Sequence, residues 1–181
     1  MSRSSAIPRH LRSSMIEGSV QAMTVSNIDF LVASLGADCD VYQLLREFTQ
    51  NSFEGIKALG PNQEGQVTWG YDQKIFKDSG VRKLSLIDNG IGMTPDEMVE
   101  YINALSSSGH EQSIEGNRGV GAKITGAKHN PEGLVYKSWK DGGDGYMIIL
   151  RHVNGHYGLQ HFGQDGRKVP FVKLPKSFKP A

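Results

Sequence analysis

A chain of 181 residues with 38% apolar side chains is long enough for one globular domain with a buried core. Its 20 basic and 19 acidic residues nearly cancel, so no global field points to nucleic acid or an anionic membrane, and only local patches remain to be considered. Cys39 is the single cysteine, which excludes an intramolecular disulfide and argues against a cysteine-built zinc site.

The opening "MSRSSAIPRHLRSSM" is basic and serine-rich and lacks the apolar core of a signal peptide. No apolar run elsewhere reaches the length of a membrane span. The expectation is an intracellular protein, cytoplasmic or else nuclear or nucleoid-associated, with no membrane contact, in which residues 1 to 22 form a flexible arm. "VSNIDFLVASLG" comes next, with Ile28, Leu31, Val32 and Leu35 at helical spacing before Gly36. A second helix is better marked. Asp40 can cap "DVYQLLREFTQNSFEGIKALG", and Gly60 with Pro61 ends it.

Strands are expected at "GQVTWGYD" and "RKLSLID", then a helix at "TPDEMVEYINAL" with Thr94 as its cap, Pro95 at the first position and Glu97 closing a capping box. The glycine- and serine-rich "SSSGHEQSIEGNRGVG" leads into a short helix near "AKITGAK". The remainder reads as antiparallel strands: "GLVYKSWK", a glycine turn at "DGGDG", "YMIILRHV", the hairpin signal Asn154-Gly155, and "HYGLQHF". Helices gather in the first two thirds and paired strands in the last, which implies the α+β class with helices packed on one face of a sheet.

Three stretches carry candidate chemistry. At about 100° per residue, Val41, Leu44, Leu45, Phe48, Ile56 and Leu59 form an apolar stripe, and Glu47, Asn51 and Glu54 fall together on an adjoining arc. A carboxylate and an amide thus point the same way, although a solvated helix face carries such pairs too. "LSLIDNGIGM" delivers Asp88 at the carboxyl end of a strand, and Gly90 and Gly92 leave room for close approach of a ligand or of backbone. An ionised Asp there can accept from an exocyclic amine, while a plain "DNG" turn explains the same residues. "GNRGVGAK" offers glycines at the mouth of a helix, hence free N–H groups for phosphate with Lys123 as counter-charge, or simply a flexible loop. It is not a P-loop, because the spacing before Lys123 differs and no Ser or Thr comes directly after it.

In this order the three motifs resemble the GHKL ATPase superfamily, which contains gyrase-type topoisomerase subunits, Hsp-ninety-type chaperones, MutL-type repair proteins, MORC ATPases and histidine kinases. "LLREFTQNSFEGI" is similar to its Glu-x-x-x-Asn helix, "IDNGIGM" to its Asp-x-Gly-x-Gly motif and "GNRGVGAK" to its glycine-rich lid motif. The resemblance implies a two-layer α/β sandwich with a mixed sheet, with residues 23 to 163 as the ATP-binding domain and 164 to 181 as a basic segment leading toward a further strand or domain. It implies ATP and Mg²⁺ as ligands and an ATPase activity. Glu47 would be the general base that orients the attacking water, and Asn51 would hold Mg²⁺. Asp88 would accept from the adenine amino group, with Gly90, Gly92 and Met93 around the base. Gly116, Gly119, Val120 and Gly121 would wrap the phosphates with Lys123 as a further contact, and "SSSGHEQSIEGN" would be a lid.

The family's adenine-side threonine and its second phosphate-reaching lysine are not found, so the expectation is a piece of a longer polypeptide or a site completed by a partner. The chaperone, MORC and MutL branches match the motif surroundings better than histidine kinases do. ATP-driven homodimerisation and a protein client are implied by that resemblance. The alternative is a nucleotide-gated module that binds DNA or protein with little hydrolysis, using Arg3, Arg9, Arg12, Lys168, Lys173, Lys176 and Lys179 on phosphates. A third reading keeps the fold without nucleotide, against which Glu47, Asn51 and Asp88 speak. The six histidines show no metal-ligand spacing.

Overall fold

A computed structural model describes residues 28–103, 120–130, 132–164 and 166–180. The arm at 1 to 22, Gly116, Gly119 and the expected lid lie outside the described residues. The first helix, α1 (Ile28–Gly36), buries Val32 and Gly36, the latter beside Ile124 and Lys128. The second, α2 (Val41–Lys57), starts as its sequence dictates: Asp40 is extended, and its Oδ1 accepts from the Gln43 amide at 2.7 Å. Its apolar stripe is narrower than expected, since Leu44 is buried but Val41 is exposed.

Strands β1 (Val67–Tyr71) and β2 (Leu84–Asp88) pair antiparallel, with Val67 opposite Asp88 and Tyr71 opposite Leu84. Between them runs a short helix, α3 (Gln73–Ser79), that the sequence pattern did not announce. Asp72 caps it by accepting from the Ile75 amide at 3.0 Å. Helix α4 (Pro95–Asn103) has the expected capping box, in which Thr94 Oγ1 accepts from the Glu97 amide and Glu97 Oε2 accepts from the Thr94 amide at 2.7 Å. Helix α5 (Val120–His129) is longer than "AKITGAK" and is buried from Ala122 to Ala127.

The main sheet is built on the nine-residue strand β4 (Gly145–Val153). Strand β3 (Leu134–Trp139) lies along one edge of it, and β5 (His156–Leu159) pairs with its second half across the Asn154-Gly155 turn, where both residues have positive φ. A small hairpin of β6 (Phe162–Gln164) and β7 (Arg167–Val169) comes next. Strand β8 (Val172–Leu174), inside the basic C-terminal segment, returns to pair with the first half of β4. Every strand pair among the described residues is antiparallel, in place of the mixed sheet expected. For β3, β4 and β5 the reason is the connections: they succeed one another through tight turns, and a parallel neighbour would need a crossover between them.

Tyr146, Ile148 and Leu150 share one face of β4, with Tyr136 and Leu159 beside them as register partners of Ile148 and Leu150. Met98 and Ile102 of α4 pack on this face with Ile148, and all three are almost fully buried. Helix and sheet thus form the two layers of an α+β sandwich. No helix among the described residues is long and apolar enough to cross a membrane.

The capping box sets a pH dependence. Lys140 bonds Glu97 at 2.6 Å, and with the Thr94 contacts it pulls the carboxyl from its ordinary 4.5 down to about 2. A depressed carboxylate stabilises the fold fully above 4.5, and that contribution is lost as the pH falls through about 2. Urea unfolding at a series of pH values should therefore find Glu97→Gln less stable than wild type at pH 7, with the difference shrinking between about 4.5 and 2.

Candidate functional site

Helix α2 is the spine of the candidate site. Glu47, Asn51 and Glu54 are all half-buried, which places their arc at the margin of the packed face as the helical period requires. Glu47 Oε1 accepts from Arg46 Nη2 at 2.6 Å, and its other oxygen faces Gly121 in the first turn of α5. The approach is so close that a Cβ at Gly121 would stand 2.7 Å from Glu47 Cδ. Among the described residues Asn51 shows no side-chain hydrogen bond, so its amide oxygen is available to a ligand.

One residue further along, buried Ser52 donates to Asp88 Oδ2 at 3.0 Å. This bond joins the end of β2 to α2, the helix that carries Glu47 and Asn51. Asp88 Oδ1 accepts from the Gly90 amide at 3.0 Å. Each carboxylate oxygen keeps acceptor capacity, and the residue is exposed. Asn89 pins the turn from the other side, accepting from the Gln66 amide at 2.7 Å and donating to the Glu64 carbonyl at 2.9 Å.

Both glycines of the turn are packed against protein. A Cβ on Gly90 would lie 2.8 Å from the Gly55 carbonyl carbon, and Ile91 N–H donates to that same carbonyl at 3.1 Å, satisfying a group that the helix end leaves free. Gly92 has φ of 66°, and a Cβ there would run into the Trp139 carbonyl. Met93 N–H donates to buried Ser138 Oγ at 2.7 Å, which seats the turn on β3. The room the glycines leave is thus taken first by backbone.

Lys123 departs furthest from its expected place. It is 4% exposed and donates to the Tyr101 carbonyl at the end of α4, with its ammonium 4.5 Å from the centre of the Tyr101 ring. Of the lysines considered for a nucleic-acid contact, Lys173 is ion-paired with Asp144 at 2.6 Å, and Lys168, Lys176 and Lys179 are exposed. Among the described residues no group of three His, Cys, Asp or Glu side chains could hold a metal.

Ser52 and Ser138 carry no motif signal of their own, Ser52 having only its place beside Asn51 as a hint, and Asn89 was marked as a residue of the "DNG" turn but not for the bonds it makes. An Asn oxygen at a half-buried helix position suits a cation that keeps most of its ligands as water or phosphate, as Mg²⁺ does. The free acceptor capacity of Asp88 suits a donor such as a base amino group.

No family profile matches the chain. The chain is 30% identical over 95 residues to the chaperone protein HtpG of Bdellovibrio bacteriovorus, covering 50% of this chain and 15% of that protein. It is 28% identical over 107 residues to the mitochondrial 75 kDa heat shock protein of Rattus norvegicus, covering 55% and 15%. A third similarity, 29% over 135 residues, is to HtpG of Nitrobacter hamburgensis and covers 72% and 18%. These are weak homologies to HtpG-type chaperones, and the chain spans less than a fifth of the length of each of these three relatives.

Two glycine substitutions separate backbone packing from side-chain crowding. Gly90→Ala presses on helix backbone and is expected to destabilise by about 1–3 kcal/mol in denaturant unfolding. Gly121→Ala meets the movable end of Glu47 and gains helix propensity, so it should cost less than about 1 kcal/mol in the same measurement.

Proposed function

We propose that the chain is an ATP-binding module of the GHKL superfamily, on its chaperone side, which hydrolyses ATP slowly with Mg²⁺ and couples nucleotide occupancy to movement of a larger assembly. The observation that carries this reading is the Ser52–Asp88 bond, because it brings the Asp-x-Gly-x-Gly turn onto the helix that bears Glu47 and Asn51. The similarity to proteins named as chaperones supports it independently. A homodimer closing on nucleotide and a protein client belong to the same reading, and a DNA partner to its alternative.

The residues divide the work by position. Asp88, held by Ser52 and the Gly90 amide, keeps acceptor capacity for the adenine amino group. Gly92 and Met93, seated on Trp139 and Ser138, form a fixed wall for the base. Asn51 would hold Mg²⁺ through its amide oxygen, and the metal would supply positive charge against the phosphate oxygens. Val120 and Gly121 at the start of α5 would offer backbone N–H groups to the phosphates, and Gly116 and Gly119 of the same motif would join them.

Glu47 orients a water and accepts its proton while the water oxygen attacks the terminal phosphorus. The bond to the bridging oxygen breaks, and ADP and phosphate leave. Arg46 holds one Glu47 oxygen and leaves the other for this task.

Calorimetry and a phosphate-release assay test the division. Asp88→Asn removes the charged acceptor and should weaken ATP binding by about 10- to 100-fold. Glu47→Ala should bind ATP within about twofold of wild type and lose hydrolysis by about 100-fold or more. Equal ATP affinity in the wild type and the Asp88 variant would refute the site.

A further inference from the structure

Lys123 is the one charged side chain among the described residues that is almost fully buried. Its ammonium donates to the Tyr101 carbonyl and lies over the Tyr101 ring. That carbonyl belongs to the last turn of α4, where carbonyls lack an intrahelical partner and the helix dipole favours a cation. Burial pushes the ammonium down to about 8, so the charge is held against its preference for water. An apolar side chain of similar length would fill the space with no such desolvation, so what lysine adds is a directed bond.

Two residues before Lys123 on the same helix stands Gly121, whose backbone abuts the Glu47 carboxylate. The first turn of α5 is further braced by Thr125 Oγ1, which donates to the Gly121 carbonyl at 2.7 Å. A rotation or slide of α5 by a fraction of its rise would move Gly121 against Glu47, because no gap separates them.

We propose that Lys123 is a positioning residue: by clamping α5 to the end of α4 it fixes the first turn of α5, and through Gly121 it sets where the Glu47 carboxylate stands. This rests on the reading of Glu47 as the general base. It also gives Lys123 a role different from the phosphate contact expected from the glycine-rich motif. A phosphate ligand would change nucleotide affinity, whereas a positioning residue changes turnover at constant affinity.

The full chain carrying Lys123→Met or Lys123→Arg, with Lys123→Gln as a further neutral variant should the first fail to fold, is compared with wild type. ATP affinity, single-turnover hydrolysis and amide hydrogen exchange are measured. The neutral variant should bind ATP within about twofold of wild type and hydrolyse it about 10- to 100-fold more slowly, the scale of a misplacement of ~1 Å. Its amides at 121 to 125 should exchange faster, and Lys123→Arg should recover part of both losses because it keeps a cationic donor.

A loss of affinity of about 10-fold or more with an unchanged rate would identify a phosphate ligand and overturn the proposal. Unchanged turnover and exchange would overturn it too. Wild-type chain that binds no ATP would defeat the ATP-site reading instead; the exchange comparison then still decides the clamp, which falls if Lys123→Met leaves exchange at 121 to 125 unaltered.

Discussion

Helix α2 and the turn after β2 approach each other at Gly55 and Gly90 until backbone meets backbone, and most of the candidate site depends on that contact. With no Cβ at Gly90, the Gly55 carbonyl reaches Ile91 N–H, and the preceding turn of the helix places Ser52 at hydrogen-bond distance from Asp88. The carboxylate at the strand end is thereby fixed relative to Glu47 and Asn51 by the rigid pitch of one helix. Met98 and Ile102, packed on Ile148, hold helix α4 to the sheet, so the turn is gripped from both sides.

The polar groups of the site fall into two sets. Ser52 and Ser138 are buried and spent on protein partners, and they locate the turn. Asn51 and the carboxylates of Glu47 and Asp88 stand at the margin with acceptor capacity left over. An acceptor-rich rim of this kind repels anions unless N–H donors and a cation accompany it. In the proposed reading the N–H groups at the mouth of α5 would supply the former, and Asn51 would hold the latter.

Local chemistry made much of this legible from sequence. The Asp40 cap, the Thr94–Glu97 box and the Asn154-Gly155 turn depend on residues within four positions of one another, and each formed as expected. Glu47, Asn51 and Asp88 were placed by helix and strand periodicity. The α3 helix, the β6–β7 hairpin and the β8 strand are too short for a period to mark them, and β8 is moreover held by a strand far back along the chain, β4. The burial of Lys123 was hidden for the same reason, since its partner Tyr101 lies in another helix. The access attributed to Gly90 and Gly92 proved to serve packing first, a distinction that requires knowing which atoms stand opposite each Cα.

Backbone amide shifts of the chain, titrated with Mg²⁺ and a non-hydrolysable adenine nucleotide, test the central claim most directly. The largest saturable changes should fall at Asn51, Ser52, Asp88 to Met93 and Gly121, and a guanine nucleotide should produce none of comparable size. No saturable change, or changes confined to the exposed basic residues after β7, would contradict a nucleotide site between α2 and the turn at the end of β2.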